Sequence, residues 1–157
     1  MTKAKAKNAK VEMQGKIPNI LLSVKRKRSK KARIEELQAN KNIALITVLK
    51  GAFDDRIVWD LPGGAPPDYT SNPLGEYTIE KAQPALARFV KNNANNNWRG
   101  GTQGLRDAAR QNAWLEMLEK MHTDEAAVLI AMVDGTLNKL FPTICYDLAK
   151  EAFPELF

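Results

Sequence analysis

Four prolines, Pro62, Pro66, Pro67 and Pro73, fall within DDRIVWDLPGGAPPDYTSNPLGE, residues 54–76. Each removes a backbone donor and biases the residue before it away from helix. The stretch therefore predicts a long connection with at most a few extended residues, and the rest of the chain must pack around it.

On both sides of this connection apolar residues recur at helical spacing. NKNIALITVLKGAF (40–53) carries Ile43, Ile46, Leu49 and Phe53 on one stripe, with Asn42 placed to cap its start and Gly51 placed to weaken its end. EYTIEKAQPALARFVKNN (76–93) presents Leu86, Phe89 and Val90, with Pro84 either in a first turn or at a kink. LRDAARQNAWLEMLEKM (105–121) is the clearest amphipathic helix, with Leu105, Ala109, Ala113, Leu118 and Met121 inward, joined by Trp114 and Met117. HTDEAAVLIAMVDGTL (122–137) has Thr123 as an N-cap, Asp124 and Glu125 where the helix dipole favours acids, and Gly135 as its stop. Its centre is apolar nearly all round, as befits a core helix. A further helix is expected from Lys30 to Gln38, with Ile34 and Leu37 at i, i+3, and another between Pro142 and Pro154. NNANNNWRGGTQG (92–104) reads as a flexible loop.

Charge divides the chain more sharply than hydropathy does. The 157 residues carry a net +6, yet residues 1–33 alone hold twelve Lys or Arg against Glu12, and residues 34–157 are net acidic by five. Such asymmetry marks a basic arm attracted to a polyanion. The first sixteen residues alternate Lys with Ala and offer little to bury, which predicts disorder; IPNILLSV (17–24) is the first apolar cluster. The expected architecture is all-α: a compact bundle of four to five helices with a long Pro/Gly-rich loop and a disordered basic N-terminal arm. Residues 1–29 form the arm and 30–157 a single helical domain.

No apolar run approaches the roughly 20 residues that span a bilayer, and the N-terminus lacks a secretory apolar stretch. The single cysteine, Cys145, excludes an internal disulfide and fits a reducing compartment, so the expected location is the cytoplasm.

Catalytic chemistry finds little support. LPGGAPP is followed by no Lys or Ser/Thr and does not open a helix, so it is no phosphate loop. Asp54, Asp55, Asp60 and Asp68 lack calcium-loop spacing and read as solvated acids. His122, the only histidine, reads as a boundary residue between helices, and Cys145 as a small buried hydrophobe. Trp98 and Arg99 form no recognisable base-stacking module. No catalytic residue, cofactor or metal is expected. Trp59 and Leu61 are expected to plug the core while the prolines run over the surface as a stiff strap; any role beyond packing would be docking, through Trp59, Pro62, Pro66 and Pro67.

The strongest signal is KRKRSKKAR, in which Lys25, Arg26, Lys27, Arg28, Lys30, Lys31 and Arg33 are candidates for phosphate contact. A solubilising tail or a face for an acidic protein would use the same residues.

GAFDDRIVWDLPGGAPP, EKMHTDEAAVLIAMVDGTL and the closing LAKEAFPEL together resemble an uncharacterised family of small proteins from T4-like tailed phages, including phages of marine cyanobacteria. The resemblance spans residues 40–157. Gly63 departs from an acidic residue expected in that loop, and the 138–142 stretch is longer. The resemblance implies a phage origin and action in the host cytoplasm, and it brings no activity and no catalytic residue. AKEAFPELF also resembles the C-terminal tails by which T4-type replication and late-transcription proteins dock on a sliding clamp, which would make Phe153 and Phe157 partner-binding residues; against this, Phe153 continues the helical spacing from Ala149, which reads as core. The function expected is a non-enzymatic accessory protein binding nucleic acid through its arm in replication or transcription. A protein-binding module and a small virion component are the alternatives.

Overall fold

The computed structural model describes residues 13–91 and 107–157. Among these, eight α-helices are present: α1 (Lys16–Arg26), α2 (Lys30–Ala39), α3 (Ile43–Phe53), α4 (Ile79–Leu86), α5 (Asp107–Lys120), α6 (Thr123–Asp134), α7 (Leu137–Leu140) and α8 (Tyr146–Ala152). Short 3-10 turns follow α4 (Ala87–Phe89) and α8 (Pro154–Leu156). The described residues contain no strand, only the isolated bridges Trp59 with Val90 and Tyr77 with Met121. The described residues are all-helical as expected, but eight helices replace the bundle of four to five.

The largest correction concerns the basic arm. KIPNILLSVKR forms α1, whose Ile17, Leu21 and Val24 are fully buried and whose Ile20 is nearly so. The expectation of disorder weighed lysines and missed that apolar residues at 17, 20, 21 and 24 make one helical stripe. Order begins ahead of the helix: the Gln14 N–H donates to Asp124 Oδ2 (2.8 Å), and the Met13 N–H to Asn19 Oδ1 (3.2 Å). The remainder of the expected arm, residues 1–12, lies outside the described residues, as do the expected loop at 92–104, Trp98 and Leu105.

The α3 and α6 helices pack on each other at the centre, and α1, α4 and α7 add to this pair; α2 lies between α1 and α8. Caps follow the chemistry of the chain. Asn42 Oδ1 accepts the Leu45 N–H (2.9 Å) and Thr78 Oγ1 the Lys81 N–H (3.2 Å). At α6 the cap is His122, whose Nδ1 accepts the Asp124 N–H (3.0 Å), one residue before the expected Thr123. The other end of α6 stops at Gly135 in the left-handed region, φ 72°. α4 runs from the Thr78 cap to Leu86, shorter than its apolar pattern suggested and with Pro84 inside it, and α8 starts at Tyr146. Cys145 is half-buried at the residue ahead of α8, not within it.

Glu125 is a carboxylate in the core, 2% exposed. Its Oε1 accepts the N–H of Ile79, the first residue of α4 (3.1 Å), and a Cβ on Gly15 would lie 2.6 Å from its Cδ. Burial pushes its carboxyl above the usual range, reinforced by Glu80 and opposed by the Ile79 N–H and His122. A carboxyl raised in the folded state holds its proton more tightly there. Its stabilisation is thus complete below the ordinary carboxylate range and is lost as pH rises through the raised value. Glu125→Gln, which keeps an acceptor without the charge, is expected to raise stability at neutral pH and to flatten this decline. Glu125→Ala orphans the Ile79 N–H and is expected to cost about 1–3 kcal/mol. Urea denaturation across the acid range checks both.

Candidate functional site

The seven cations of KRKRSKKAR form a corner between two helices. α1 ends at Arg26; Lys27 is extended, with its N–H on Val24 O (3.1 Å). Ser29, also extended, caps α2 by accepting the Ala32 N–H on its Oγ (3.0 Å). Arg33, half-buried, reaches back across the turn: its Nε donates to Lys27 O (3.0 Å) and its Nη2 to Arg28 O (3.5 Å). Lys25, Arg26, Lys27, Arg28, Lys30 and Lys31 are exposed. Acids border the corner. Glu36 lies 3.9 Å from Lys27 and accepts the Ser23 hydroxyl (2.7 Å), and Glu151 of α8 pairs with Lys30 at 2.6 Å. The hydrogen bond to Glu151 pushes the Lys30 ammonium pKa up.

Helix dipoles treat these cations unequally. Lys25 and Arg26 sit at the carboxyl end of α1, where positive charge is favoured. Lys30, Lys31 and Arg33 open α2, where the dipole is itself positive and no acid occupies the first turn.

The proline strap is anchored as expected at Trp59 but by more than packing. The indole N–H donates to Gly51 O (2.8 Å), and a Cβ on Gly51 would lie 2.6 Å from Trp59 Cζ2 and 2.7 Å from Met132 Sδ. The Asp60 N–H donates to Phe89 O (2.7 Å) and the Lys91 N–H to Val58 O (2.8 Å), closing the bridge beside Trp59. Arg110, 5% exposed in α5, fixes the next link: its Nε donates to Asp60 O (2.7 Å), and its guanidinium pairs with Asp60 (3.4 Å) and Asp107. Trp59 is therefore an internal anchor. Beyond it, Pro62 and Pro67 are exposed and Pro66 half-buried, and this part of the strap arches over Gln111 and Trp114, enclosing a cavity of about 180 Å³.

The closing EAFPELF is folded inward. Phe153 is 2% exposed in the core, under the ammonium of Lys41 at 5.9 Å, so the fold withholds it from a partner. Phe157 is half-buried, edge-on to Tyr146 (5.8 Å) and beneath Lys50 Nζ (5.6 Å). Lys50 also donates to Leu156 O (2.8 Å) and pairs with Asp54 (3.1 Å), which Arg56 grips at 2.7 Å. Asp54 is 6% exposed. Burial alone would raise its pKa, but hydrogen bonds from Arg56 and Lys50 outweigh it and hold the carboxyl at about 2, against an ordinary 3.8. Its stabilisation is therefore present above the ordinary value and lost as pH falls through about 2. Asp54→Asn is expected to cost ~2 kcal/mol at pH 7 and to flatten the acid limb of a stability–pH profile.

Sequence reasoning missed Asp54, Arg110 and Glu125 as organising residues. A signal existed for Arg110, which shares a helix face with Trp114 one turn on and Asp107 one turn before. Asp54 also had a local signal, since its partners Lys50 and Arg56 stand four residues before it and two after, whereas nothing local marked Glu125, whose partner Ile79 is remote in the chain. Among the described residues no group of three or more His, Cys, Asp or Glu could hold a metal ion, and no helix is long and apolar enough to cross a membrane.

A protein family described as a family of unknown function (DUF6433) matches residues 20–139, a span that includes the basic corner and the strap and stops before AKEAFPELF. No curated protein and no solved structure matches the chain.

Proposed function

We propose that this chain, which belongs to the DUF6433 family, is a non-enzymatic accessory protein that binds nucleic acid through the corner at residues 25–33. On this reading it acts in replication or transcription in the cytoplasm of an infected host, and the likeness of its blocks to small proteins of T4-like phages supports the phage setting alone. One observation carries the reading: seven cations are concentrated at a capped corner between two packed helices, six of them exposed, while the chain beyond residue 33 is net acidic. Polyanion binding by such a surface releases counterions, so affinity falls steeply with salt. The corner is also backed by the core, so its backbone is held in place, which a loose tail would not be.

Replacing Lys25, Lys27, Arg28 and Lys31 together by Gln leaves the buried stripe of α1 and the Arg33 contacts in place. This variant is expected to bind labelled nucleic acid about a hundredfold more weakly near physiological salt, and to lose about 3 units of the slope of log K against log salt. Fluorescence anisotropy over a salt series measures both, and an unchanged slope would sink the reading.

A further inference from the structure

We propose that the cavity beneath the proline strap, which shares no residue with the basic corner, is a small-molecule site for an uncharged aromatic ring carrying a hydrogen-bond donor. Residues 62–67 form one wall and Gln111 and Trp114 of α5 the other, around about 180 Å³. An apolar cavity of about 150 Å³ holds benzene. The space under the strap therefore has room for a single ring and a short substituent.

Both walls are fixed before a ligand arrives. α5 grips the strap at its two ends: Arg110 Nε donates to Asp60 O (2.7 Å), while Glu119 accepts the Thr70 N–H on its Oε2 (3.0 Å) and the Asn72 amide on its backbone carbonyl (2.9 Å). Between these ties the strap presses on the end of α6, where a Cβ on Gly63 would lie 2.6 Å from Asp134 Oδ1. The fixed φ of Pro62, Pro66 and Pro67 stiffens the span. On the opposite wall the Trp114 indole is set against Phe89, edge to face, with ring centroids 5.2 Å apart. A ligand that enters a preformed site loses little entropy in ordering it.

The lining selects the chemistry of the ligand. Trp114 and the proline rings supply apolar surface, and an aromatic ring pairs favourably with an indole. No lining residue is ionisable, so none offsets the desolvation of a charged group. Three prolines leave residues 62–67 with six carbonyls but only three N–H groups. Among the described residues one of those carbonyls is engaged, Pro66 O, by the Tyr69 N–H (3.0 Å). The strap is thus richer in free acceptors than in donors, which suits a ligand that donates.

The probes are benzyl alcohol, one ring with a donor, and benzoate, its anionic counterpart, each titrated into the full-length protein and followed by two-dimensional amide NMR. Benzyl alcohol is expected to bind with a Kd of about a millimolar, shifting the Trp114 indole N–H, the Gln111 amide and the backbone N–H groups of Gly63, Gly64 and Ala65. Benzoate is expected to bind about tenfold more weakly or worse. Pro66→Ala combined with Pro67→Ala removes two lining rings and their stiffness, and is expected to weaken benzyl alcohol about fivefold in a chain that a thermal melt shows to be folded. No saturable shift, shifts centred away from the strap, benzoate bound as tightly as the alcohol, or unchanged affinity in the folded double variant would each overturn the proposal. The titrations of the unaltered protein decide it even where that variant does not fold.

Discussion

Deleting residues 1–29 is expected to unfold the protein. A tail could be removed with loss of charge alone, but this deletion takes away α1, and with it Ile17, Ile20, Leu21 and Val24, exposed by 0, 7, 0 and 0%. Each such side chain contributes about 1.5–3 kcal/mol by burial, so the four together reach ~6–12 kcal/mol, comparable to the whole stability of an ordinary domain. The deletion also exposes what α1 covers on α2 and α6, and removes Gly15 from Glu125. Circular dichroism with a thermal melt decides the matter: the full chain is expected to melt cooperatively and residues 30–157 alone to show no cooperative transition. A truncated chain that melts as the full one does would mean that α1 adds nothing to the core. Loss of nucleic-acid binding by such a truncation therefore says nothing about charge, which is why neutralising substitutions at the corner are the informative experiment.

Gly75→Val is expected to be the most damaging of the point substitutions considered, on the order of 3 kcal/mol or more. A Cβ at Gly75 would stand 2.3 Å from the carbonyl carbon of Met121, 2.4 Å from its oxygen and 2.6 Å from the His122 nitrogen. All three are backbone atoms at the junction of α5 and α6, and a backbone cannot rotate aside as a side chain can. The same approach is tied by the Tyr77 N–H to Lys120 O (3.1 Å) and by Asn72 Nδ2 to Glu119 O (2.9 Å). Gly64→Ala offers the contrast. Gly64 has φ 77° but nothing within 4 Å of its would-be Cβ, so only the left-handed backbone opposes the change, at about 1 kcal/mol. Urea denaturation of the two variants separates shortage of space from conformational strain; equal losses would contradict the packing at Gly75.

Both predictions turn on relations that the chain does not display locally. α3, α5 and α6 were legible because long stripes of apolar residues, an Asn cap and a Gly stop agree with one another. α1 was missed because Lys16, Lys25 and Arg26 flank its stripe and the net charge of the region drew the reading toward disorder. α7, with four residues, is too short to announce a period. Of the candidate residues, the corner cations were visible as composition, whereas their arrangement depended on Arg33 reaching Lys27 O and on the Ser29 cap. Phe153 was legible as core from its spacing to Ala149, but nothing in EAFPELF reveals that Lys41 and Lys50 lie over the rings of Phe153 and Phe157. Trp59 was legible as a plug, and the buried guanidinium that holds Asp60 beside it was not.

The contact between α2 and α8 sets an order of events during synthesis. Lys30 meets Glu151, and the Gln38 amide donates to Ala152 O (3.0 Å), across most of the length of the chain. α1 and α2 therefore leave the ribosome well before their partners α6 and α8. Closing so long a loop is slow compared with forming the helices themselves, so the nascent α1 and α2 wait with their apolar faces uncovered. Translation arrested before α8 would release a chain unable to seal its own amino-terminal end, and prone to associate through it.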